Sequence, residues 1–256
     1  MTEYAAGTPI WIDVSSPDLD RTRDFYSRLL GWEAQQAAGP EAGSYTMMLL
    51  DGKMAAGAMQ TFSPDQHPAW STYIRSDDAQ ATAQRVRDAG GEVIMGPDDV
   101  MGQGNLAVFR DPAGAFIGIW EPKEHRGVQV ANQPGSFSWS ELYTRDMPAA
   151  REFYGKVFGW ESEDTNVGEM PYTLFKLDGR AIAGGIDMTT MLPESVPPHW
   201  LVYFTVEDTD RAVEQVKEMG GKILAGPQPT PMGPMAVIED PVGPSFAVIQ
   251  INEQSA

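Results

Sequence analysis

The 256-residue chain contains no cysteine and only three histidines, which are His67, His125 and His199. The absence of cysteine excludes disulfides, thiolate metal sites and cysteine nucleophiles. Basic residues are also few, since 18 lysines and arginines face 36 aspartates and glutamates and give a net charge of −18. A field of this sign repels phosphate backbones and anionic lipid headgroups, so we expect neither a nucleic-acid partner nor a membrane partner.

Long apolar runs are missing as well. The longest stretches, such as residues 113–120, fall far short of the ~20 residues that span a bilayer. The first residues, MTEYAAGTPIWIDV, have neither the basic segment nor the apolar segment of a secretory signal. We therefore expect a cytoplasmic protein. Hydrophobic residues make up 42% of the chain, which is enough to build a core.

The sequence repeats itself once. Residues 23–32 (RDFYSRLLGW) match residues 151–160 (REFYGKVFGW), and residues 111–119 (DPAGAFIGI) match residues 240–248 (DPVGPSFAV). The offset between matched segments stays between 127 and 130 along the chain. Such a fixed period indicates a tandem duplication. We predict a first domain over 1–122, a linker over 123–136 and a second domain over 137–256.

Each half divides again into two similar modules. A short strand precedes a segment with helical spacing at Phe25, Leu29 and Leu30, and a hairpin follows around the pair Asp51 and Gly52. The second quarter repeats this order and closes its helix with glycine. The pattern predicts four βαβββ modules.

The FYxxxxGW and DPxG motifs, set in four such modules, resemble those of the vicinal oxygen chelate superfamily. That superfamily includes glyoxalase I, extradiol dioxygenases and bleomycin-resistance proteins. The tandem form is most similar to a two-domain actinobacterial group whose members are often labelled hydroxylase or glyoxalase-like. The resemblance implies an α+β fold of two glyoxalase-like domains, in which two βαβββ modules form a curved mixed sheet with a concave cleft.

The resemblance also implies a divalent metal, held by His or Gln on the first strand of a module and by Glu near its last strand. These positions lie seven residues before the aspartate that opens a helix, or seven residues after the aspartate of DPxG. In this sequence the six positions hold Trp11, Ser71, Gly118, Trp139, Leu201 and Ala247. None is a usual ligand. We therefore expect degenerate metal sites and no cofactor.

Strand alternation places side chains two residues apart on the same face of a sheet. The ligand positions and their neighbours then line two clefts, the first with Trp11, Asp13, Ser71, Tyr73, Phe116, Gly118 and Trp120. The second cleft is lined by Trp139, Glu141, Tyr143, His199, Leu201, Tyr203, Ala247 and Ile249. Aromatic walls with a carboxylate and a phenol suit a flat or apolar ligand.

Several of these residues have a second interpretation. The tryptophans could simply fill the space of a lost metal, and Asp13 and Glu141 could make structural hydrogen bonds or lie at the surface. His199, with Glu141 and Gln250, could form a degenerate metal site or an acid–base pair, or lie exposed at a strand start.

Three further residues are interpreted as lying outside the clefts. His67 lies in a proline-bearing loop and His125 in the linker, and both are predicted to be exposed. Glu121 lies three residues past the usual ligand position, so we place it at the rim or surface.

Three hypotheses for function remain at this point. The first is a binding protein that sequesters a hydrophobic or aromatic metabolite or antibiotic without a metal. The second is a glyoxalase-, dioxygenase- or hydroxylase-like enzyme with a divalent metal and catalytic residues Glu141 and His199. The third is a scaffold whose clefts are filled by its own side chains. The expected partner is a small molecule, and the chain is a monomer or a homodimer.

Overall fold

The computed structural model describes residues 4–37 and 43–252, which form four helices and sixteen strands. The helices are α1 (Leu19–Leu30), α2 (Ala79–Asp88), α3 (Met147–Phe158) and α4 (Thr209–Glu218). The strands of the first repeat are β1 (Pro9–Ser16), β2 (Glu33–Gln36), β3 (Thr46–Leu50), β4 (Lys53–Gln60), β5 (Ala69–Arg75), β6 (Glu92–Asp99), β7 (Gly104–Arg110) and β8 (Phe116–Pro122). The second repeat contributes β9 (Phe137–Thr144), β10 (Glu161–Val167), β11 (Met170–Leu177), β12 (Arg180–Asp187), β13 (His199–Thr205), β14 (Lys222–Gln228), β15 (Met235–Glu239) and β16 (Ser245–Ile249).

This element order is that of four βαβββ modules, so the predicted α+β architecture is confirmed. Each repeat forms one eight-stranded mixed sheet, with orders β2-β3-β4-β1-β5-β8-β7-β6 and β10-β11-β12-β9-β13-β16-β15-β14. The first strand of a module pairs in parallel with its fourth, and hairpins complete the module. In the predicted hairpin, Asp51 and Gly52 adopt φ values of 51° and 74°, the left-handed region that a tight turn needs.

The aspartates that precede the four helices are their N-caps. The side chain of each accepts a hydrogen bond of 2.8–3.0 Å from the backbone N–H three residues later. These residues are Asp18, Asp78, Asp146 and Asp208. Each bond satisfies an N–H that has no partner within its helix, and so marks where the helix begins.

By packing, the described chain divides into two compact units, each of which draws on both repeats. The first unit comprises residues 4–11, 71–127 and 139–201. Its core joins α2 and α3 through Ala83, Val86, Phe109, Phe153, Tyr154 and Trp200. The second unit comprises residues 12–37, 43–70, 128–138 and 202–252, with a core around Phe25, Tyr26, Trp32, Trp70, Phe204 and Phe246.

Within the described ranges, no helix is long and apolar enough to cross a membrane. The segment predicted as a linker, residues 123–136, mixes exposed and buried residues and is anchored in its middle. Val128 and Val130 are buried, and Gln129 exchanges two hydrogen bonds with Met54. The prediction that His125 is exposed is wrong, because its ring lies between Trp11 and Trp120.

Candidate functional site

The candidate site residues share the sheet face that points away from the helices. In β9, Leu142 belongs to the core shared with α3. Because side chains alternate along a strand, Trp139, Glu141 and Tyr143 point to the opposite face. The same alternation puts Ser71 and Tyr73 of β5, Gly118 and Trp120 of β8, and Leu201 and Tyr203 of β13 on the helix-free face of their sheets.

Glu141 is an acceptor in a chain of hydrogen bonds that joins three side chains of the second repeat. The phenol of Tyr172, on β11, donates to Glu141 Oε2 at 2.6 Å, and the indole N–H of Trp139 donates to the Tyr172 oxygen at 2.9 Å. Glu141 is only 5% exposed, so its charge depends on such donors. Burial raises the pKa of Tyr172 far above its ordinary value, and the Glu141 charge adds to this. The proton therefore stays on the phenol.

The absence of a side chain at Gly184 leaves space for the hydrogen bonds among Trp139, Tyr172 and Glu141. It lies opposite Glu141 in the β9–β12 pairing, and a Cβ there would overlap the Tyr172 hydroxyl and lie 2.9 Å from Trp139 Nε1. The φ of Gly184 is not in the left-handed region. Glycine is thus required at this position because the Tyr172 hydroxyl and the Trp139 indole approach its backbone closely.

The first repeat contains a looser version of the same arrangement. The hydroxyl of Tyr45 lies 3.2 Å from Asp13 Oδ2, and Gly57 lies beneath it as Gly184 lies beneath Tyr172. The sequence analysis missed both tyrosines. A usable signal was present, because Tyr45 and Tyr172 match across the repeat and precede the hairpin that pairs with the carboxylate-bearing strand.

His199 stacks on Tyr143, with ring centroids 5.1 Å apart and planes within 3°. Its Nδ1 lies 2.9 Å from the carbonyl of Pro197, and burial lowers its pKa. His199 is half-buried and not fully exposed.

The structure gives the side chain of Gln250, which was suggested as a partner of His199, a different contact. The Gln250 side-chain oxygen instead faces the backbone N–H of Thr209, at the start of α4. In the same way, Glu121 accepts a 2.8 Å hydrogen bond from the N–H of Ala79 and anchors the start of α2. Both side chains are therefore occupied at helix N-termini.

The helix-free face of the first repeat carries an aromatic cluster, which comprises Trp11, Tyr73, Trp120 and His125. His125 packs edge-on against Trp11 at 4.2 Å and lies 5.4 Å from Trp120. The indole N–H of Trp120 donates to the His125 carbonyl at 2.7 Å. The Tyr73 ring covers Gly118, where any Cβ would overlap it.

The positions at which the superfamily's metal ligands are expected hold none of the usual ligand side chains. Among the described residues, no group of three or more His, Cys, Asp or Glu side chains could hold a metal ion. The expected ligand positions carry indole, hydroxyl, alkyl and glycine groups, and Glu141 is already bound by a phenol.

A cavity of about 340 Å³ lies on the other side of the second sheet, beside α3. It is lined by Met147, Arg151, Asp164, Thr165, Asn166, Pro171, Tyr172, Thr173, Gly185 and Asp187. Arg151 pairs with Asp164 and donates to Thr173 at 2.8 Å. Of the hydrogen-bond chain described above, only Tyr172 reaches this cavity.

Two curated relatives align with nearly the whole chain. The anthracycline biosynthesis protein DnrV of Streptomyces peucetius is 39% identical over 99% of this chain and 96% of its own length. The anthracycline biosynthesis protein DauV of Streptomyces sp. (strain C5) is 38% identical with the same coverage.

Solved structures show the same fold at low identity. The Mn(II)-bound glyoxalase from Novosphingobium aromaticivorans is 15% identical to this chain, with a TM-score of 0.64. The match covers 96% of this chain and 84% of the glyoxalase chain. The 2,3-dioxygenase LapB from Pseudomonas sp. KL28 is 13% identical, with a TM-score of 0.64. This match covers 97% of this chain and 93% of the dioxygenase chain. The family model of the Glyoxalase/Bleomycin resistance protein/Dioxygenase superfamily matches residues 9–119 and 130–248, and the chain belongs to this superfamily.

Proposed function

We propose that the chain binds a flat, hydrophobic aromatic molecule on the helix-free faces of its sheets, without a resident metal. One observation carries the proposal. In the second repeat a tryptophan stands at the expected ligand position, and the buried carboxylate beside it binds a phenol. A surface of this kind supplies stacking area together with one strong acceptor.

The Tyr172 phenol indicates which group the site accepts. A buried carboxylate binds a hydroxyl donor strongly, because the hydrogen bond is charge-assisted and the dielectric is low. A ligand phenol that approaches Glu141 can take the same bond in place of Tyr172, while Trp139 offers its indole face. Tyr172 keeps its proton, because burial and the Glu141 charge raise its pKa, so it acts as a hydrogen-bond donor.

The relatives support an aromatic ligand. Proteins named for anthracycline biosynthesis are 38–39% identical to this chain over almost its entire length. An anthracycline, or an aromatic precursor with the same fused rings and phenolic hydroxyls, is therefore the ligand class that we propose. Sequestration of such a compound requires only binding.

Isothermal titration with quinizarin, a planar dihydroxyanthraquinone, tests this proposal. We expect saturable binding that Trp139→Ala weakens about tenfold, which corresponds to ~1.4 kcal/mol of lost stacking. Glu141→Gln should weaken it by a similar factor. The matched control is Glu163→Gln, which changes an exposed carboxylate paired with Lys176 on the same sheet.

Two outcomes would contradict the proposal. One is a protein that binds neither quinizarin nor an anthracycline, as expected of a scaffold with filled clefts. The other is stoichiometric Mn, Fe, Ni or Zn in elemental analysis of the purified protein, lost in Glu141→Ala and His199→Ala. That result would favour the metalloenzyme hypothesis, which requires Glu141 to give up its bond to Tyr172.

A further inference from the structure

His125 is a buried polar ring without polar partners. It is 6% exposed, and neither ring nitrogen has a hydrogen-bond partner in the part of the chain that the structure describes. Burial lowers its pKa to about 4, so the ring is neutral near pH 7 and carries one N–H donor and one acceptor. In water the N–H and the acceptor nitrogen would each form a hydrogen bond with solvent, and burial removes both of those bonds.

The backbone, rather than the imidazole, holds this segment in place. The N–H groups of Lys123 and His125 both donate to the carbonyl of Gln103 at 3.0 Å. The His125 carbonyl accepts from the Trp120 indole, and Lys123 pairs with Asp99. The ring itself contributes only aromatic contacts with the two tryptophans.

The imidazole packs within the aromatic cluster of the first repeat. It covers Trp11, which stands at the expected ligand position on β1 and is 3% exposed. The equivalent Trp139 in the second repeat is only half-buried, and its indole N–H binds Tyr172. The two repeats thus present the same tryptophan in a covered form and in a more open form.

We propose that His125 is a displaceable occupant of the aromatic site of the first repeat, and that a flat aromatic ligand binds there by replacing its ring between Trp11 and Trp120. This inference rests on the proposed function and deepens it. The ligand gains the indole surfaces, and the departing imidazole regains water at both nitrogens. Displacement therefore costs less than it would for an apolar residue of the same size, which would lose favourable burial.

Substitutions of His125 separate displacement from direct ligand contact. We expect His125→Ala to tighten quinizarin binding about tenfold, because nothing has to be displaced. His125→Phe should weaken it about tenfold, because an apolar ring is a better occupant. The control is His67→Ala, which removes an exposed histidine. Each titration is repeated in Trp139→Ala, so that binding reports on the first repeat.

Chemical modification gives a second measurement that does not depend on a variant folding. Diethyl pyrocarbonate modifies accessible neutral imidazole, and mass spectrometry reports on each histidine peptide separately. Displacement predicts that quinizarin accelerates modification of His125 in the wild-type chain, while His67 serves as the unchanged reference.

The outcomes also distinguish this inference from the proposed function. If both His125 variants bind more weakly and the ligand protects His125, then His125 is a ligand contact and displacement is wrong. If wild type binds quinizarin in a Trp139-dependent manner but no His125 variant alters affinity, only this inference fails. If neither wild type nor His125→Ala binds, both proposals fail together.

Discussion

Tyr154 donates a 2.9 Å hydrogen bond to Asp111 Oδ2, and the FY motif of the second repeat thereby meets the DP motif of the first. The other oxygen of Asp111 accepts three backbone N–H bonds from the turn at residues 113–115. The indole of Trp200 completes the arrangement by donating to the Tyr154 oxygen at 2.9 Å.

The reciprocal arrangement involves Tyr26, Asp240 and Trp70. Tyr26 donates to Asp240 at 3.0 Å, and Trp70 donates to Tyr26 at 2.8 Å. Burial raises the pKa of each tyrosine well above its ordinary value, so both remain donors. The two sequence motifs that mark this superfamily are therefore bonded to each other, and their role here is structural.

We predict that Tyr154→Phe destabilises the protein by about 1–3 kcal/mol, since it removes the hydrogen bond to Asp111 Oδ2 and the acceptor of the buried Trp200 indole N–H. Urea unfolding followed by circular dichroism measures this change. Tyr26→Phe should cost a similar amount, because its partners have the same geometry. A cost below about 0.5 kcal/mol in both variants would show that water replaces the lost bond.

Removing the phenol hydroxyl beside Glu141 should lower the stability of the protein more than removing the one beside Asp13. Tyr172→Phe deprives Glu141 of a 2.6 Å charge-assisted bond, whereas Tyr45→Phe removes a longer contact of 3.2 Å to Asp13. We expect Tyr172→Phe to cost about 1.5–3 kcal/mol and Tyr45→Phe to cost less. Urea unfolding of both variants measures the difference, and equal costs would contradict the inferred ranking.

Gly184→Ala tests the close packing beneath Tyr172. The added methyl group overlaps the Tyr172 hydroxyl, so we expect a loss of about 1–3 kcal/mol from overpacking. Most of that loss should disappear in the Tyr172→Ala background, where the overlap is absent. A double-mutant cycle with an interaction energy near zero would place the strain elsewhere.

His125 should make the protein sensitive to acid. Its pKa is lowered to about 4 from 6.5, so the unfolded chain binds the proton more readily than the folded chain between these values. Stability is therefore full above pH 6.5 and falls as the pH drops toward 4. We expect a loss of about 2 kcal/mol between pH 7 and pH 5 from this group.

The measurement is urea unfolding at several pH values, with His125→Phe as the comparison. The difference between the two curves isolates the histidine. Burial lowers the pKa of His199 in the same direction, and it raises the pKa of Asp111 and Asp240, whose protonation favours the folded state. Curves that stay parallel from pH 7 to pH 5 would show that His125 titrates normally.

Much of the fold could be predicted from the sequence, because periodicity and turn chemistry are local. The four N-capping aspartates and the Asp51–Gly52 hairpin depend on residues near one another in the chain, and the repeat is visible when the two halves of the sequence are compared. The strands β2 and β10 had no such signal. Every residue of β2 is exposed, so that strand shows no apolar alternation.

The candidate site was harder to predict because its contacts join distant segments. The burial of His125 depends on Trp11, at the other end of the first repeat, and no pattern in residues 123–136 indicates it. Likewise, the bond from Tyr172 to Glu141 depends on the register of β11, β12 and β9. Alternation along one strand identifies a face, but the partner comes from another strand.

In both repeats the tyrosine of the FY motif bonds to the aspartate of the DP motif in the other repeat, and this has a consequence for truncating the chain. A single repeat expressed alone would carry Tyr26 and Asp111 but would have neither Asp240 nor Tyr154, the residues to which they bond. Tyr26 and Asp111 of the first repeat match Tyr154 and Asp240 of the second, so each repeat holds one half of both bonds. The chain therefore carries both partners of each bond in one polypeptide, and we expect that cutting it between the repeats leaves two fragments that associate.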